Sequence, residues 1–210
     1  MYILGMLTSI GDSCNHTHVH THQCHSIGGE TRDSEMASHV SIPDSVTTIE
    51  NSTIPNGRKN LTSIHIPNSV TSIGESALNH CTKLSTITIP NSVTSIGEYA
   101  FWGCTNLTTI GIPNSVTSIE NCAFWGCTNL STIEIPNSVT AIGESAFCEC
   151  TNLTTIEIPS SVKTVGISAF SRTKAKVIAR ANTKFAPNAL SSCTFVLKVD
   201  PFTVVTMAGD

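Results

Sequence analysis

Between Cys14 and His25 the chain reads Cys-Asn-His-Thr-His-Val-His-Thr-His-Gln-Cys-His. Imidazole nitrogen and thiolate sulfur are ligands for Zn²⁺ and Cu²⁺. If the segment extends, alternation puts His16, His18, His20 and His22 on one side. Ion binding by such a run is chemically easy. A fixed metal centre needs more: the region lacks the apolar periodicity that would hold ligand geometry, which favours a flexible polar lead-in. We expect no cofactor, and a metal only at these histidines.

Other chemistry-bearing residues lack the spacing that chemistry requires. There is no glycine-rich phosphate loop, no H-E-x-x-H and no nucleophile elbow, and the abundant Ser, Thr and His fall in no pattern that would orient a base. Glu75, Glu98 and Glu144 recur at one surface position, where like charges repel rather than divide into acid and base. Nine cysteines leave at least one unpaired. Cys81, Cys104, Cys127 and Cys150 recur in register and read as small buried packing groups, whereas Cys122, Cys148 and Cys193 fall outside that series. Cys148-Glu149-Cys150 has no second ligand pair at zinc-site spacing. The expectation is a protein that is not an enzyme.

What must position these groups is a repeat. Windows beginning at Leu61, Leu84, Leu107, Leu130 and Leu153 follow one another at a constant 23-residue step, sharing L-[ST]-[ST]-I-x-I-P-[NS]-S-V-x-[TSA]-[IV]-x-x-x-A-[LF], with a Cys after it in most copies. One copy cannot enclose its own apolar residues, so successive copies stack as a solenoid and turn sequence columns into ladders. The core columns run through Leu61, Ile64, Ile66, Val70, Ala77 and Leu78 and their counterparts, the last becoming Phe101, Phe124, Phe147 and Phe170. In I-x-I the two Ile share one strand face and the middle residue faces away. Pro67, Pro90, Pro113, Pro136 and Pro159 end that strand. V-T-S-I reads as a second short strand, and A-F as a helical turn closing the coil.

The segments Ile89–Pro90, Ser92–Gly97 and Ala100–Leu107 carry I-P, S-V-T-S-I-G and A-F-W-G-C-T-N-L intact. This pattern resembles the BspA-like, spirochaete-type leucine-rich repeats, and the match covers Leu61 to Ala175. The resemblance implies a right-handed, curved leucine-rich-repeat array of 23-residue coils with short parallel β-strands. It also implies a role in recognition, adhesion for some members, and no catalytic residues.

Composition agrees with one ordered body: 210 residues, 40% apolar and only 12% charged, with Thr, Ser and Asn carrying the solvated faces. The net charge of -4 conceals an asymmetry. Residues 1–157 hold four basic and thirteen acidic side chains, while 158–199 hold seven basic ones (Lys163, Arg172, Lys174, Lys176, Arg180, Lys184 and Lys198) and no acidic one. A polar cap on the last turn accounts for these more simply than an anion-binding end. Nothing points to nucleic acid as a partner.

We divide the chain into a His/Cys-containing polar lead-in at 1–38, a distorted first repeat at 39–60, five repeats at 61–175 and a degenerate C-terminal capping coil at 176–210. Ile42–Ile49 is a clear copy, although Val46 stands one position further from Val70 than the step allows. Leu7–Ser13 echoes Val70–Ser76 as a remnant. Lys176-Val177-Ile178 occupies the next strand position, and Phe195–Val199 reads as a closing strand. No stretch approaches the ~20 apolar residues of a membrane span, so no membrane insertion is expected. Met1–Leu7 lacks the basic flank and length of a secretory signal, which leaves the compartment open, with the family resemblance pointing to the cell surface.

Three surfaces could bind a protein or glycan. The first is the strand face, with Ser63, Thr86, Thr109, Thr132 and Thr155 beside a column that varies as His65, Thr88, Gly111, Glu134 and Glu157. Variation inside a near-identical repeat marks a position the core does not dictate. The second is Trp102 with Trp125, one repeat apart, readable equally as a contact patch or as one coil covering the next. The third is the hydroxyl column Thr71, Thr94, Thr117 and Thr140. Asn60, Asn106, Asn129 and Asn152 each open an N-L-[ST] sequon, which the repeat itself already requires.

Overall fold

The computed structural model describes residues 38–50 and 59–198 and a two-residue strand at His18–Val19. The rest of the histidine run, the Leu7–Ser13 echo, the Met1–Leu7 segment and the chain beyond Lys198 lie outside the described residues.

Each coil supplies two strands. The first kind is β2 (His39–Ser41), β4 (Ser63–His65), β6 (Thr86–Thr88), β8 (Thr109–Gly111), β10 (Thr132–Glu134), β12 (Thr155–Glu157), β14 (Lys176–Arg180) and β16 (Thr194–Lys198). The second is β1 (His18–Val19), β3 (Thr48–Ile49), β5 (Ser72–Ile73), β7 (Ser95–Ile96), β9 (Ser118–Ile119), β11 (Ala141–Ile142), β13 (Thr164–Val165) and β15 (Lys184–Phe185). Among the described residues every pairing is parallel, and between repeats it joins equivalent residues, for instance Thr86 with Thr109 and Thr109 with Thr132. In the three-residue strands from β2 to β12 the middle residue is buried and its two neighbours are exposed. That alternation is the one strand geometry imposes.

The core is a set of ladders. Leu61, Leu84, Leu107 and Leu130 are fully buried, and Phe101, Phe124, Phe147 and Phe170 stack nearly parallel with centroids 5.4 Å apart. Each ring is enclosed by the coils beside it, so its whole apolar surface leaves water, a gain of about 1.5–3 kcal/mol per ring.

The A-F segment differs from the sequence expectation: it is a series of turns without helix. A helix needs consecutive right-handed residues, yet coil after coil places two residues in the left-handed region here, such as Tyr99 (φ 56°) with Gly103 (φ 69°), and Ser145 (φ 52°) with Glu149 (φ 62°). Amides that would have bonded back along a helix pair forward instead. The Phe101 N–H donates to the Ala123 carbonyl at 2.9 Å and the Gly103 N–H to the Trp125 carbonyl at 2.8 Å, which makes a third row of inter-coil bonds.

The ladders are interrupted at staggered places. The first-kind strands form groups β2-β4, β6-β8-β10 and β12-β14-β16, while the second-kind strands divide into β1-β3-β5-β7 and β9-β11-β13-β15. Gly74, Gly97, Gly143 and Gly166 share one column, and a Cβ on Gly97 would lie 2.6 Å from the Glu75 nitrogen. At Gly143 and Gly166 the closest backbone nitrogens would be 2.6 and 2.5 Å away. Ala186 and Glu120 carry side chains in this column: the Ala186 N–H still donates to the Val165 carbonyl at 2.8 Å as β13 pairs with β15, and the Glu120 carboxylate accepts a 2.5 Å bond from the Ser118 hydroxyl.

Towards the C-terminus the coils shorten. Thr155 pairs with Lys176 and Lys176 with Thr194, each spacing shorter than the regular step and the second shorter than the first. This corrects the reading of Cys193. Cys104, Cys127 and Cys150 each donate to the carbonyl of the A-[LF] residue one coil back (Leu78, Phe101 and Phe124), and Cys193 makes the same bond to Phe170 at 3.2 Å. Cys193 is therefore on the cysteine ladder, with Thr173 as the rung before it. Counting by the regular step missed it because the coil is shorter.

Candidate binding surface

Strand register alone places the expected face. Thr86, Thr109 and Thr132 lie side by side across β6, β8 and β10, and Thr88, Gly111 and Glu134 form the parallel row. Thr155 and Glu157 continue the two rows on β12, and all of these residues are exposed. Pointing away from the core, they carry no packing duty.

Two grooves open on this face, both where the first-kind ladder is interrupted. One, of about 850 Å³, lies between β4 and β6 and is lined by His39, Ser41, Ser63, His65, Asn68 and Asn91 among others. Within it His39 Nδ1 and the Ser63 hydroxyl are 2.5 Å apart. The other, of about 370 Å³, lies between β10 and β12, with Glu134, Glu157, Asn137, Ser160 and Arg180 on its walls. His39 and Ser41 were not candidates from sequence, and Arg180 was read only as part of the basic end. The first two sit in the distorted repeat, and Arg180 shares the outward parity of Lys176 and Ile178 on β14, a strand that no proline ends.

The two glutamates are not equivalent. Lys198 Nζ lies 2.8 Å from Glu157 Oε1, and this bond, with the charges of Lys198 and Arg180, holds the Glu157 carboxyl below the usual carboxylate range. Glu134 has no ion pair or hydrogen bond among the described residues. Of the basic end, Arg172 pairs with Glu149 at 2.5 Å and Lys163 donates to the Ser160 carbonyl at 2.9 Å. Part of that charge is thus used within the chain.

Trp102 and Trp125 lie on the turn side of the coil, apart from the strand face. Their rings stack 5.7 Å apart with 22° between planes, and His80 packs 4.5 Å from Trp102 on the turn before it. The ring faces are used by one another, and both residues are half-buried. His80 fits there because Gly103 lacks a Cβ, which would stand 2.6 Å from the imidazole. Of the expected metal ligands only His18 falls within the described residues; it lies in β1, paired with Thr48. Among the described residues no group of three or more His, Cys, Asp or Glu could hold a metal ion, and no helix is long and apolar enough to cross a membrane.

A family model described as the BspA-type leucine-rich repeat region matches residues 12–128 and 79–197, with six copies. Among solved structures, a leucine-rich repeat protein of T. pallidum is similar with a TM-score of 0.63 and 28% identity, over 69% of this chain and 74% of that one. A leucine-rich repeat protein of Bacteroides ovatus is similar at 26% identity with a TM-score of 0.48, over 74% of this chain and 58% of that one. No curated protein matches. Proteins built this way are in general binding or recognition modules. With the repeat motif, the stacked parallel coils and the family model in agreement along most of its length, the chain belongs to the BspA-type leucine-rich repeat family.

Proposed function

We propose that the chain is a non-catalytic recognition module that binds a protein or glycan through its strand face, and that it serves as a cell-surface adhesion protein. One observation carries the reading: Thr88, Gly111, Glu134 and Glu157 differ along an exposed row whose buried neighbours Ile87, Ile110, Ile133 and Ile156 do not. Packing fixes the Ile row and leaves the other free. The test is a screen of the immobilised protein against a glycan array and a peptide library. Binders are then measured against a Glu134→Lys/Glu157→Lys variant and a Trp102→Ala/Trp125→Ala variant. Exposed strand positions tolerate substitution within about 0.5 kcal/mol, so changed binding by the glutamate variant at unchanged stability is the expected result. Binding that ignores both variants moves the site elsewhere on the coil.

A second reading, an intracellular scaffold for protein–protein interaction, is favoured by the cysteine ladder. Cys104, Cys127 and Cys150 act as S–H donors inside the core, a role open only to reduced thiols. Disulfide or glycan mass on the native protein decides for the surface, and fully reduced, unmodified protein for the interior.

A further inference from the structure

Gly111 interrupts the exposed row of the strand face between Thr88 and Glu134, its register partners on either side. A Cβ built on Gly111 would meet nothing within 4 Å, and the residue has no positive φ. Neither backbone conformation nor packing therefore requires glycine here. Its effect is a notch: the row loses one side chain, and the floor is the bare backbone of β8. Rungs of a parallel sheet are about 4.8 Å apart, so the walls formed by Thr88 and Glu134 stand roughly 10 Å apart, wide enough for one long side chain lying across the strand.

The charge bordering this notch is acidic, with Arg180 further off on the neighbouring groove, beyond β12. Glu134 forms one wall without a partner among the described residues, while Glu157 on the next coil is already paired with Lys198. The carboxylate left to attract a ligand is thus the one bordering the gap. Beyond it lies the groove between β10 and β12, whose Asn114, Asn137 and Ser160 offer hydrogen-bonding groups to a main chain passing alongside.

Resting on the strand-face reading above, we propose that the partner is a basic polypeptide segment, one arginine or lysine of which lies over Gly111 and pairs with Glu134. Arginine suits the place better. Its planar fork can take both carboxylate oxygens, and its flat guanidinium can rest on exposed peptide groups.

The experiment selects a random dodecapeptide library, displayed on phage, against the immobilised full chain. The selected peptides are then synthesised and titrated by fluorescence polarisation against the wild type, Gly111→Thr, Glu134→Gln, and a Thr86→Arg/Thr132→Arg variant that obstructs the other row. Thr fills the notch without a clash, so Gly111→Thr keeps the wild-type melting temperature. The proposal expects peptides enriched in Arg or Lys relative to the input library, and affinities about tenfold or more weaker for both Gly111→Thr and Glu134→Gln. It also expects binding that weakens with added salt. Peptides without basic enrichment, or bound equally by Gly111→Thr and Glu134→Gln, overturn it. If such peptides, or a glycan, still lose binding to Thr86→Arg/Thr132→Arg, the strand-face reading stands and only the notch fails. Ligands that ignore all three variants remove both.

Discussion

Cys127 Sγ lies 3.2 Å from the carbonyl oxygen of Phe101, to which the Cys104 N–H also donates at 3.2 Å. One carbonyl thus joins its own coil to the next, through a backbone donor on one side and a thiol on the other. Burial pushes the Cys127 thiol up to about 12, against an ordinary value of 9.0, and burial likewise raises Cys150. Cys104 is raised first by its hydrogen bond with Cys81 and then by burial.

Stability should therefore fall in alkali. Between about pH 9 and 12 the folded state keeps the Cys127 proton that the unfolded chain gives up. Its stabilisation is complete below pH 9 and is lost as pH climbs towards 12, at about 1.4 kcal/mol per pH unit for each such thiol. Urea midpoints measured from about pH 7.5 to 10.5 should show this decline, and Cys127→Ala should make it shallower. In native protein at neutral pH an alkylating reagent should reach Cys193, which is partly exposed, before Cys104, Cys127 or Cys150.

Phe124→Ala should cost about 3–5 kcal/mol, because the ring lies between Phe101 and Phe147 at 5.4 Å and neither neighbour can move into the space without leaving its own stack. Thermal denaturation checks it. An unchanged midpoint would mean that the stacked column is not the centre of the core.

Residues 1–38 should bind Zn²⁺ weakly through His16, His18, His20 and His22. Calorimetric titration should detect binding that replacement of these histidines by Ala abolishes, while the melting temperature of the repeats is unmoved. A large metal-dependent rise in melting temperature would make the run a structural site instead.

The repeat was legible because the same types recur at the same step. Ile64, Ile87 and Ile110 declare a buried column by repetition alone, and the exposed row beside them is defined by contrast. What escaped the reading depends on departures from the step. Cys193 takes its place through a shortened coil, and no count by the regular step finds it. The turns at Tyr99 and Gly103 escaped because A-F-W-G-C has the apolar content of a helical turn, whereas left-handed backbone and forward-pointing amides decide its shape. The grooves were invisible for a different reason: they lie where strand pairing lapses, which no single residue type announces.

Among the described residues the interruptions of the two strand rows never coincide. Between the coils of β4 and β6 the link β5–β7 persists; where β7 and β9 part, β6–β8 holds; where β10 and β12 part, β11–β13 holds. Like bricks laid with offset joints, the rows leave no seam running through the wall. In a linear array the weakest junction between neighbours decides whether the chain melts as one unit or in pieces. Here every junction retains one paired row, so a pull along the solenoid axis meets no ready fracture plane and thermal unfolding should be a single transition.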